Sequence, residues 1–263
     1  MAKPRTSRQM TGGKSPSKAA SASLSVMAAT ALSASSETPF IDDGKNTIAS
    51  QLVARLREAI VSGKLEAGAK LNLERTRENF DVSLSPLREA LARLISEGLV
   101  LFEDNRGYQV APVSLANLEE ITRLREAFET LALREAMTVG TLDWEGDIMR
   151  ALHRLNRVER DAAKPETLEQ WERHHREFHL TLIAGCRMPL LLSFCGVLLN
   201  LNDRYRRTFL QATSGDRNVS GEHSDIAAAT VSRDIDYACT RLREHLHRTG
   251  TNLRQHLAGK IAP

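Results

Sequence analysis

Residues 81–100 read DVSLSPLREALARLISEGLV, and this stretch decides the fold of the first half of the chain. Apolar residues recur in it at the helical spacing and so share one face: Leu87, Ala90, Leu91, Leu94 and Ile95. Ser85 is a suitable N-cap, Pro86 suits the first helical position, and Gly98 follows the last apolar residue. The sequence therefore predicts an amphipathic helix that begins after a turn at 81–85 and ends before Gly98.

Two shorter helices precede this one and a hairpin follows it. Ile48, Leu52, Leu56 and Ile60 predict a first helix, with Gly63 as a C-cap after it. Segment 66–71 is interpreted as a connecting turn, and a second helix can then run to Phe80. Residues 99–110, LVLFEDNRGYQV, predict two short strands around a polar turn. Three helices and a hairpin predict a winged helix-turn-helix over residues 46–112; a small helical domain without a nucleic-acid role is the alternative.

The rest of the chain, residues 113–263, predicts an all-helical domain. Apolar residues at the helical period indicate six helices: 115–138, 144–162, 166–184, 189–211, 221–232 and 234–257. Their connections are short and strand patterns are nearly absent, which is typical of an antiparallel bundle. The predicted fold class is therefore mainly α, with an N-terminal winged helix-turn-helix and a C-terminal antiparallel helical bundle.

Composition agrees with two modest folded domains, because 41% of residues are hydrophobic and 26% are charged. The formal net charge of +3 comes entirely from residues 1–45, which hold six basic and three acidic side chains. Residues 46–112 hold nine of each, and residues 113–263 hold 21 of each. Bulk charge therefore gives no evidence that the folded part meets nucleic acid. It predicts only that Lys3 to Lys18 add a non-specific, salt-sensitive attraction to DNA.

Residues 1–45 are predicted to be a flexible tail, because residues 1–38 are rich in Ser, Ala and Thr and lack bulky apolar residues at a helical period. Segment 20–34 resembles a weak signal or transit peptide, and Met27 is an alternative start. No run approaches the roughly 18 apolar residues of a membrane span, so we expect a cytoplasmic protein without a membrane partner. The three cysteines form no CxxC pair, which predicts reduced thiols: Cys186, Cys195 and Cys239.

Candidate DNA contacts cluster at the start of the third helix and at the hairpin. Ser83, Ser85 and Arg88 lie where a winged domain meets phosphates and base edges. Arg106, at the hairpin tip, suits a minor groove or a phosphate. The alternative is that these are surface residues, with Arg88 paired to an acid of the protein itself. Position on the recognition helix favours DNA contact.

Four histidines are candidate metal ligands. His175 and His179 are four residues apart, so their imidazoles share a helix face and can reach one ion. His223 and His245 lie on two later helices, and imidazoles that converge in a bundle would suit a divalent ion such as Zn²⁺ or Ni²⁺. The alternative for a pair at this spacing is structural or surface histidine.

Arg125, Arg204 and Arg206 are helical arginines with apolar neighbours in sequence. If these side chains face a cavity, they could clamp an effector carboxylate; if they face outward, they are ordinary surface charge.

No nucleophile elbow, phosphate loop, HExxH motif or close carboxylate pair is found, so no enzyme is predicted. The remaining alternative is a metal-dependent enzyme in the bundle. Its nearest base, Glu177, lies two residues after His175 and so points away from the ligand face.

The stretch 81–100, together with RGYQV at 106–110, closely resembles the DNA-binding signature of GntR-family bacterial transcription regulators. The helical remainder, with EFHLTL at 177–182, EHSDI at 222–226 and REHL at 243–246, resembles the FadR branch and its FCD ligand-binding domain. The resemblance implies a homodimer, often a repressor, whose paired winged domains bind a palindromic double-stranded operator. It also implies that the helical domains bind a small metabolite that changes operator affinity.

The resemblance further implies a metal site. Many family members use an Asp or Asn, a His four residues later, and two His on later helices; His179, His223 and His245 match the three histidines. His175 stands where the family usually has Asp or Asn, so an all-imidazole site becomes possible. Leu84 stands where the family often has Arg, which implies a different operator sequence.

Within the family, the run from Trp171 to Cys186 and the later Arg204-Tyr205-Arg206 are most similar to carbon-starvation-induced regulators of glutarate and 4-aminobutyrate use. This resemblance implies a short carboxylate or dicarboxylate effector. The resulting hypothesis is that the effector carboxylate completes the coordination of a metal, while an arginine binds its other oxygen. The segment near 111–115 would then transmit the change to the winged domains.

Overall fold

A computed structural model describes residues 47–161, 164–209 and 218–261 of the 263-residue chain. The predicted tail, residues 1–45, lies outside these ranges, as do Ala162 and Gln211, the predicted ends of two helices. In these ranges the chain forms nine helices and one three-stranded sheet. None of these helices combines the length and the hydropathy that a membrane span requires.

The first part of the structure is the predicted winged helix-turn-helix. Three helices pack around one apolar core, and the strands form an antiparallel sheet in the order β1-β3-β2. The β2-β3 hairpin is the wing. The elements, in chain order, are α1 (Ile48–Val61), β1 (Lys70–Leu71), α2 (Leu73–Phe80), α3 (Leu84–Ser96), β2 (Val100–Glu103) and β3 (Gly107–Val110).

The recognition helix α3 begins two residues earlier than predicted. Asp81 ends α2 in the left-handed conformation, with φ of 52°, and Ser83 is the N-cap in place of Ser85. Pro86 therefore lies in the first turn but not at its first position. This is tolerated because the N–H groups of the first helical turn have no partner within the helix. The shift exposes both serine side chains at the front end of α3.

The segment interpreted as a turn contains a strand. Lys70 pairs with Gln109, and Leu71 pairs with Tyr108, so β3 has a partner on both edges. The Val110 N–H also donates to the Ala69 carbonyl at 2.9 Å. A two-residue strand is too short to show alternation in sequence. It forms because β3 would otherwise leave backbone groups unpaired on its open edge.

The core of the winged part includes most of the residues predicted to face it, but not all. Leu52, Leu56 and Ile60 are almost fully buried, whereas Ile48 is 66% exposed. A strict four-residue repeat drifts by about 40° per step around a helix of 3.6 residues per turn, so Ile48 has rotated off the buried face. Ile95, predicted on the apolar face of α3, is also partly exposed near the end of its helix.

The six predicted helices of the second part are all present. They are α4 (Leu115–Val139), α5 (Leu142–Asn156), α6 (Pro165–Ala184), α7 (Pro189–Phe209), α8 (Val219–Val231) and α9 (Ile235–Ile261). The prediction for α5 was too long, because the helix ends at Asn156 and not at Ala162. Leu155 is its last buried residue, and the charged side chains that follow give the helix no apolar face to pack.

The C-terminal end of α7 joins the bundle to the winged part. Leu201 packs against the core of the winged part and against a smaller core formed by α4, α7 and α9. Arg207 pairs with Glu58 of α1, with 2.6 Å between Nη1 and Oε1. One helix of the bundle therefore contacts the DNA-binding part directly.

The same end of α7 also holds the linker between the two parts. Arg204 donates a hydrogen bond to the carbonyl of Ala111. The buried hydroxyl of Tyr205 accepts the N–H of Ser114 at 3.1 Å and donates to Oδ1 of Asn117 at 2.9 Å. Ser114 is the N-cap of α4, so Tyr205 fixes the point where the linker becomes helix.

Candidate functional site

Arg88 lies on the exposed face of the recognition helix. It makes no ion pair with any residue in the described ranges, so the structure does not show the surface pair that was its alternative interpretation. Arg93, on the same helix, is instead engaged with Glu89 at 2.7 Å. Arg88 therefore remains available for the DNA contact that the sequence predicts.

A groove between α3 and the wing brings two of the predicted DNA contacts together. Arg88 and Arg106 both line it, along with the aromatic pair Phe102 and Tyr108. Arg106 pairs with Glu103 at 2.9 Å, but both side chains are well exposed, and such pairs contribute little. Arg106 can therefore exchange its carboxylate for a phosphate.

Lys70 also lines this groove, and sequence reasoning missed it. The residue lay in the segment interpreted as a turn, so nothing connected it to the wing. Its pairing with Gln109 was the missing information, because β1 places Lys70 beside the hairpin.

Ser83 and Ser85 lie at the N-terminus of α3. The side chain of Ser83 makes no capping hydrogen bond, although the residue is the N-cap. Both serines are exposed. Hydroxyls and free N–H groups at a helix N-terminus are suitable donors to phosphate oxygens. The positions of both serines are compatible with the predicted DNA contacts.

The four histidines converge inside the bundle. The spacing of His175 and His179 predicted their shared face, and the resemblance implied that His223 and His245 join them. His175 and His179 come from α6, His223 from α8 and His245 from α9, and all four are buried. One nitrogen from each lies within 4.8 Å of the others. The imidazoles of three helices therefore meet at one point.

The donor atoms of this cluster fit a divalent metal. Burial lowers the pKa of His175 well below its usual value, with Arg206 acting in the same direction, and burial also lowers that of His179. Nδ1 of His175 and Nε2 of His179 are buried and have no hydrogen-bond partner in the described structure. Neutral imidazoles with unused nitrogens are the ligands that Zn²⁺ and Ni²⁺ prefer.

Two glutamates lie behind the histidines, and neither was predicted as a functional residue. Oε2 of Glu222 is 2.8 Å from Nδ1 of His245, and Oε2 of Glu129 is 3.6 Å from Nδ1 of His179. Burial would raise the pKa of Glu129, but Arg125 and His179 bring it down to about 2. Glu222 could have been noticed because it adjoins His223, whereas only the fold brings Glu129 to the site.

A buried ionic cluster adjoins the histidines. Arg206 of α7 pairs with Glu172 of α6 and with Asp203, at 2.7 Å for the latter. Trp171 separates this cluster from solvent: its ring stacks on His175 with 4.7 Å between centroids, and the Arg206 guanidinium lies 5.6 Å from it. The cluster places a fixed cation next to the imidazoles.

The three predicted effector arginines occupy different places. Arg206 and Arg125 are buried close enough to the histidines to affect their pKa values. Arg125 is held by Glu129, with Nε 2.6 Å from Oε1. Arg204 instead contacts the linker, where it donates a hydrogen bond to the carbonyl of Ala111.

Glu177, the base considered for an enzymatic alternative, lies at the surface. It pairs with Arg154 at 2.6 Å and with His174 at 3.2 Å, and both partners are themselves partly exposed. Its place on the opposite side of α6 from His175 agrees with the two-residue spacing. The geometry therefore gives the histidine cluster no general base from this residue.

Together, the winged domain with its basic groove and the bundle with its buried histidine cluster define a DNA-binding regulator that carries a ligand-binding domain. Family comparison agrees. The model of the bacterial regulatory proteins of the gntR family matches residues 48–110, and the FCD domain model matches residues 120–248. The chain belongs to the GntR family and is a DNA-binding transcription regulator with an FCD effector domain.

Relatives support the same assignment. The chain is 34% identical over 203 residues to the uncharacterized HTH-type transcriptional regulator BphR of Paraburkholderia xenovorans, covering 76% of this chain and 83% of BphR. It is 30% identical over 208 residues to the HTH-type transcriptional repressor GlaR of Escherichia coli K12, covering 78% and 94%. These relatives are regulators, not enzymes.

A solved structure shares the fold. Escherichia coli McbR/YncC superposes with a TM-score of 0.70 at 23% identity, covering 81% of this chain and all of that one. At this level of identity the likeness concerns the fold alone.

We predict that the full-length chain, purified without a His tag, carries about one Zn²⁺ or Ni²⁺ per protomer, because buried neutral imidazoles favour these ions. His179→Ala should reduce the metal to background in elemental analysis, because the ion loses a buried ligand. His174→Ala removes a surface imidazole and serves as the control. Chelation should also lower the melting temperature. A metal content that is the same in both variants would contradict the assignment.

Proposed function

We propose that this protein is a cytoplasmic repressor that binds a palindromic operator as a homodimer. In this proposal a small carboxylate metabolite, bound beside the four histidines, releases the protein from DNA or changes its affinity. The observation that carries the proposal is the end of α7. Its consecutive residues connect the buried ionic cluster, through Arg206, with the linker and the winged domain, through Arg204 and Arg207.

The histidine cluster is placed to take an anionic ligand. Its imidazoles carry no negative charge, and nearby carboxylates such as Glu129, Glu172 and Asp203 are each paired with a buried guanidinium group. Arg206 and Arg125 are the cations next to the cluster, and a ligand carboxylate could share them with their present partners. A metal ion bound by the imidazoles would supply a Lewis-acidic point of attachment for one carboxylate oxygen. Trp171 gives the pocket an apolar wall, which suits a short carbon chain.

Coupling to DNA binding would follow two helices. α6 carries His175 and also Glu172, which pairs with Arg206 of α7. α4 begins at the linker and carries Glu129, which lies beside His179. A ligand that prefers one arrangement of these helices shifts the population toward it, and a hundredfold change in operator affinity needs a difference of about 2.7 kcal/mol.

An exposed apolar surface on the bundle supports a homodimer. Leu124, Phe128 and Leu131 lie on one face of α4, and Leu190 and Phe194 lie on one face of α7. The Phe128 and Phe194 rings are 6.1 Å apart, so the two faces form one continuous surface. A second copy of the chain is the occupant we assign to it, because a twofold axis lets an apolar patch cover itself.

The repressor role is supported by the names of relatives. GlaR and RspR of Escherichia coli K12 are both HTH-type transcriptional repressors, and RspR is 27% identical over 210 residues. A repressor also requires no surface for contact with polymerase, only tight binding to DNA.

Arg88→Ala should weaken operator binding by about 5- to 150-fold, the loss of roughly 1–3 kcal/mol expected for one base contact. The probe is DNA selected by the wild-type protein from a random library, and the measurement is fluorescence anisotropy at fixed salt. Arg93→Ala, on the same helix but paired with Glu89, is the matched control. Wild-type affinity in the Arg88 variant would remove this residue from the interface.

Tyr205→Phe should separate ligand binding from its effect on DNA. Short mono- and dicarboxylic acids are titrated into the complex of protein and operator, and at least one should change the wild-type affinity. The variant should bind that acid normally but show a smaller change, because the hydroxyl no longer holds Ser114. Tyr237→Phe, on the exposed face of α9, is the control.

Two results would count against this part of the proposal. If no acid changes operator affinity in the wild type, the effector class is wrong. If the Tyr205 variant responds like the wild type, the tyrosine does not carry the coupling.

Phe194→Glu should convert the dimer to monomers, because the charge would be buried in the centre of an apolar interface. We expect the dimer dissociation constant to rise at least about 30-fold, since residues at interface centres contribute roughly 2 kcal/mol or more each. Sedimentation equilibrium measures it. Met149→Glu introduces the same charge at a similarly exposed apolar residue of α5. Equal dimerisation of the two variants would place the interface elsewhere.

A further inference from the structure

Two of the four histidines have a carboxylate oxygen close to Nδ1. Nδ1 of His245 lies 2.8 Å from Oε2 of Glu222, and Arg248 binds the other oxygen of that glutamate at 2.8 Å. The Glu222 side chain is only 10% exposed, and that of His245 only 3%. The chain Arg248–Glu222–His245 therefore runs from the surface of α9, through α8, to the cluster.

A second chain of the same composition approaches from another helix. Nδ1 of His179 lies 3.6 Å from Oε2 of Glu129, which is beyond hydrogen-bond distance, and it has no hydrogen-bond partner among the described residues. Arg125 binds both oxygens of Glu129 at 2.6 and 3.3 Å. All three side chains are buried. Arg125, predicted to clamp an effector, thus has a defined partner inside the protein.

We infer that Glu222 is a positioning residue, which holds His245 with Nδ1 protonated and Nε2 directed at the shared metal point. The inference rests on the metal site of the proposed function. An imidazole that donates through Nδ1 to a carboxylate must keep its lone pair on Nε2, and a carboxylate behind a ligand also makes it more basic.

The other carboxylate–histidine pairs of the described residues show what distinguishes these two. Glu126 contacts His247 at 3.1 Å, and Glu177 contacts His174 at 3.2 Å, but in both pairs at least one side chain is substantially exposed. Water competes for exposed pairs, so they do not fix a tautomer. By contrast, the imidazole rings beside Glu129 and Glu222 are buried.

His175 lacks such support. No carboxylate contact to it is found in the described residues, its Nδ1 has no hydrogen-bond partner there, and its ring stacks on Trp171. The inference therefore distinguishes His245, which is held by a hydrogen bond to a carboxylate, from His175, whose ring stacks on Trp171.

The first test reads the tautomers directly in the full-length, metal-free protein. With ¹⁵N-labelled histidine, long-range ¹H–¹⁵N spectra show which ring nitrogen carries the proton. We expect the Nδ1–H form for His245. In Glu222→Gln the His245 pattern should change while that of His179 stays. Finding the Nε2–H form for His245 in the wild type would overturn the inference.

The second test measures Zn²⁺ affinity by competition with a chromophoric chelator. Glu222→Gln should lower the affinity about 10- to 100-fold, as loss of a carboxylate behind a metal ligand does. Glu126→Gln, which alters a surface pair on the neighbouring helix, should leave it unchanged. Equal affinity of the Glu222 variant and the wild type would contradict the inference.

A wild-type protein that binds no Zn²⁺ would instead refute the metal part of the proposed function. The tautomer measurement would then still decide whether Glu222 orients His245.

Discussion

The geometry of one helical turn constrains the rest of the structure. Successive residues of an α-helix point about 100° apart, so four neighbours must meet four different surroundings. In α7, Arg204 reaches the linker, Tyr205 the start of α4, Arg206 the buried ionic cluster and Arg207 the winged domain. Each contact is satisfied only if the bundle, the linker and the winged domain keep their present arrangement. A single turn thereby sets how the two halves of the regulator are held.

The interior of the bundle is unusually polar for a helical bundle. Its core contains four imidazoles and several ion pairs, including Arg125–Glu129 and Arg206 with Glu172 and Asp203. Removing charges from water is expensive, and their mutual attraction roughly offsets that cost, so these groups add little to stability. Apolar layers such as that of Ile148, Phe178 and Leu242 supply the stabilisation instead. These polar groups therefore contribute little to folding, which agrees with the ligand-binding role proposed for this part of the bundle.

Sequence reasoning succeeded where a local pattern was long enough. Helical periodicity identified every helix in the described ranges, and the spacing of His175 and His179 predicted a shared face. It failed where the determining contact was distant in sequence. β1 exists because β3, much later in the chain, has an open edge, and Glu129 reaches His179 only through packing of α4 on α6. The role of Arg204 was misjudged for the same reason, since its partner is a backbone carbonyl of the linker.

The long helix α4 has a mechanical consequence. Its N-cap Ser114 is tied to the linker, and Glu129, beside His179, lies 15 residues further along. At 1.5 Å per residue these points are about 22 Å apart on one rigid rod, so a tilt of about 5° around Glu129 would displace Ser114 by about 2 Å. The helix is thus a rigid arm with its pivot at the histidines. A small tilt there would become a displacement longer than a covalent bond at the N-cap of α4.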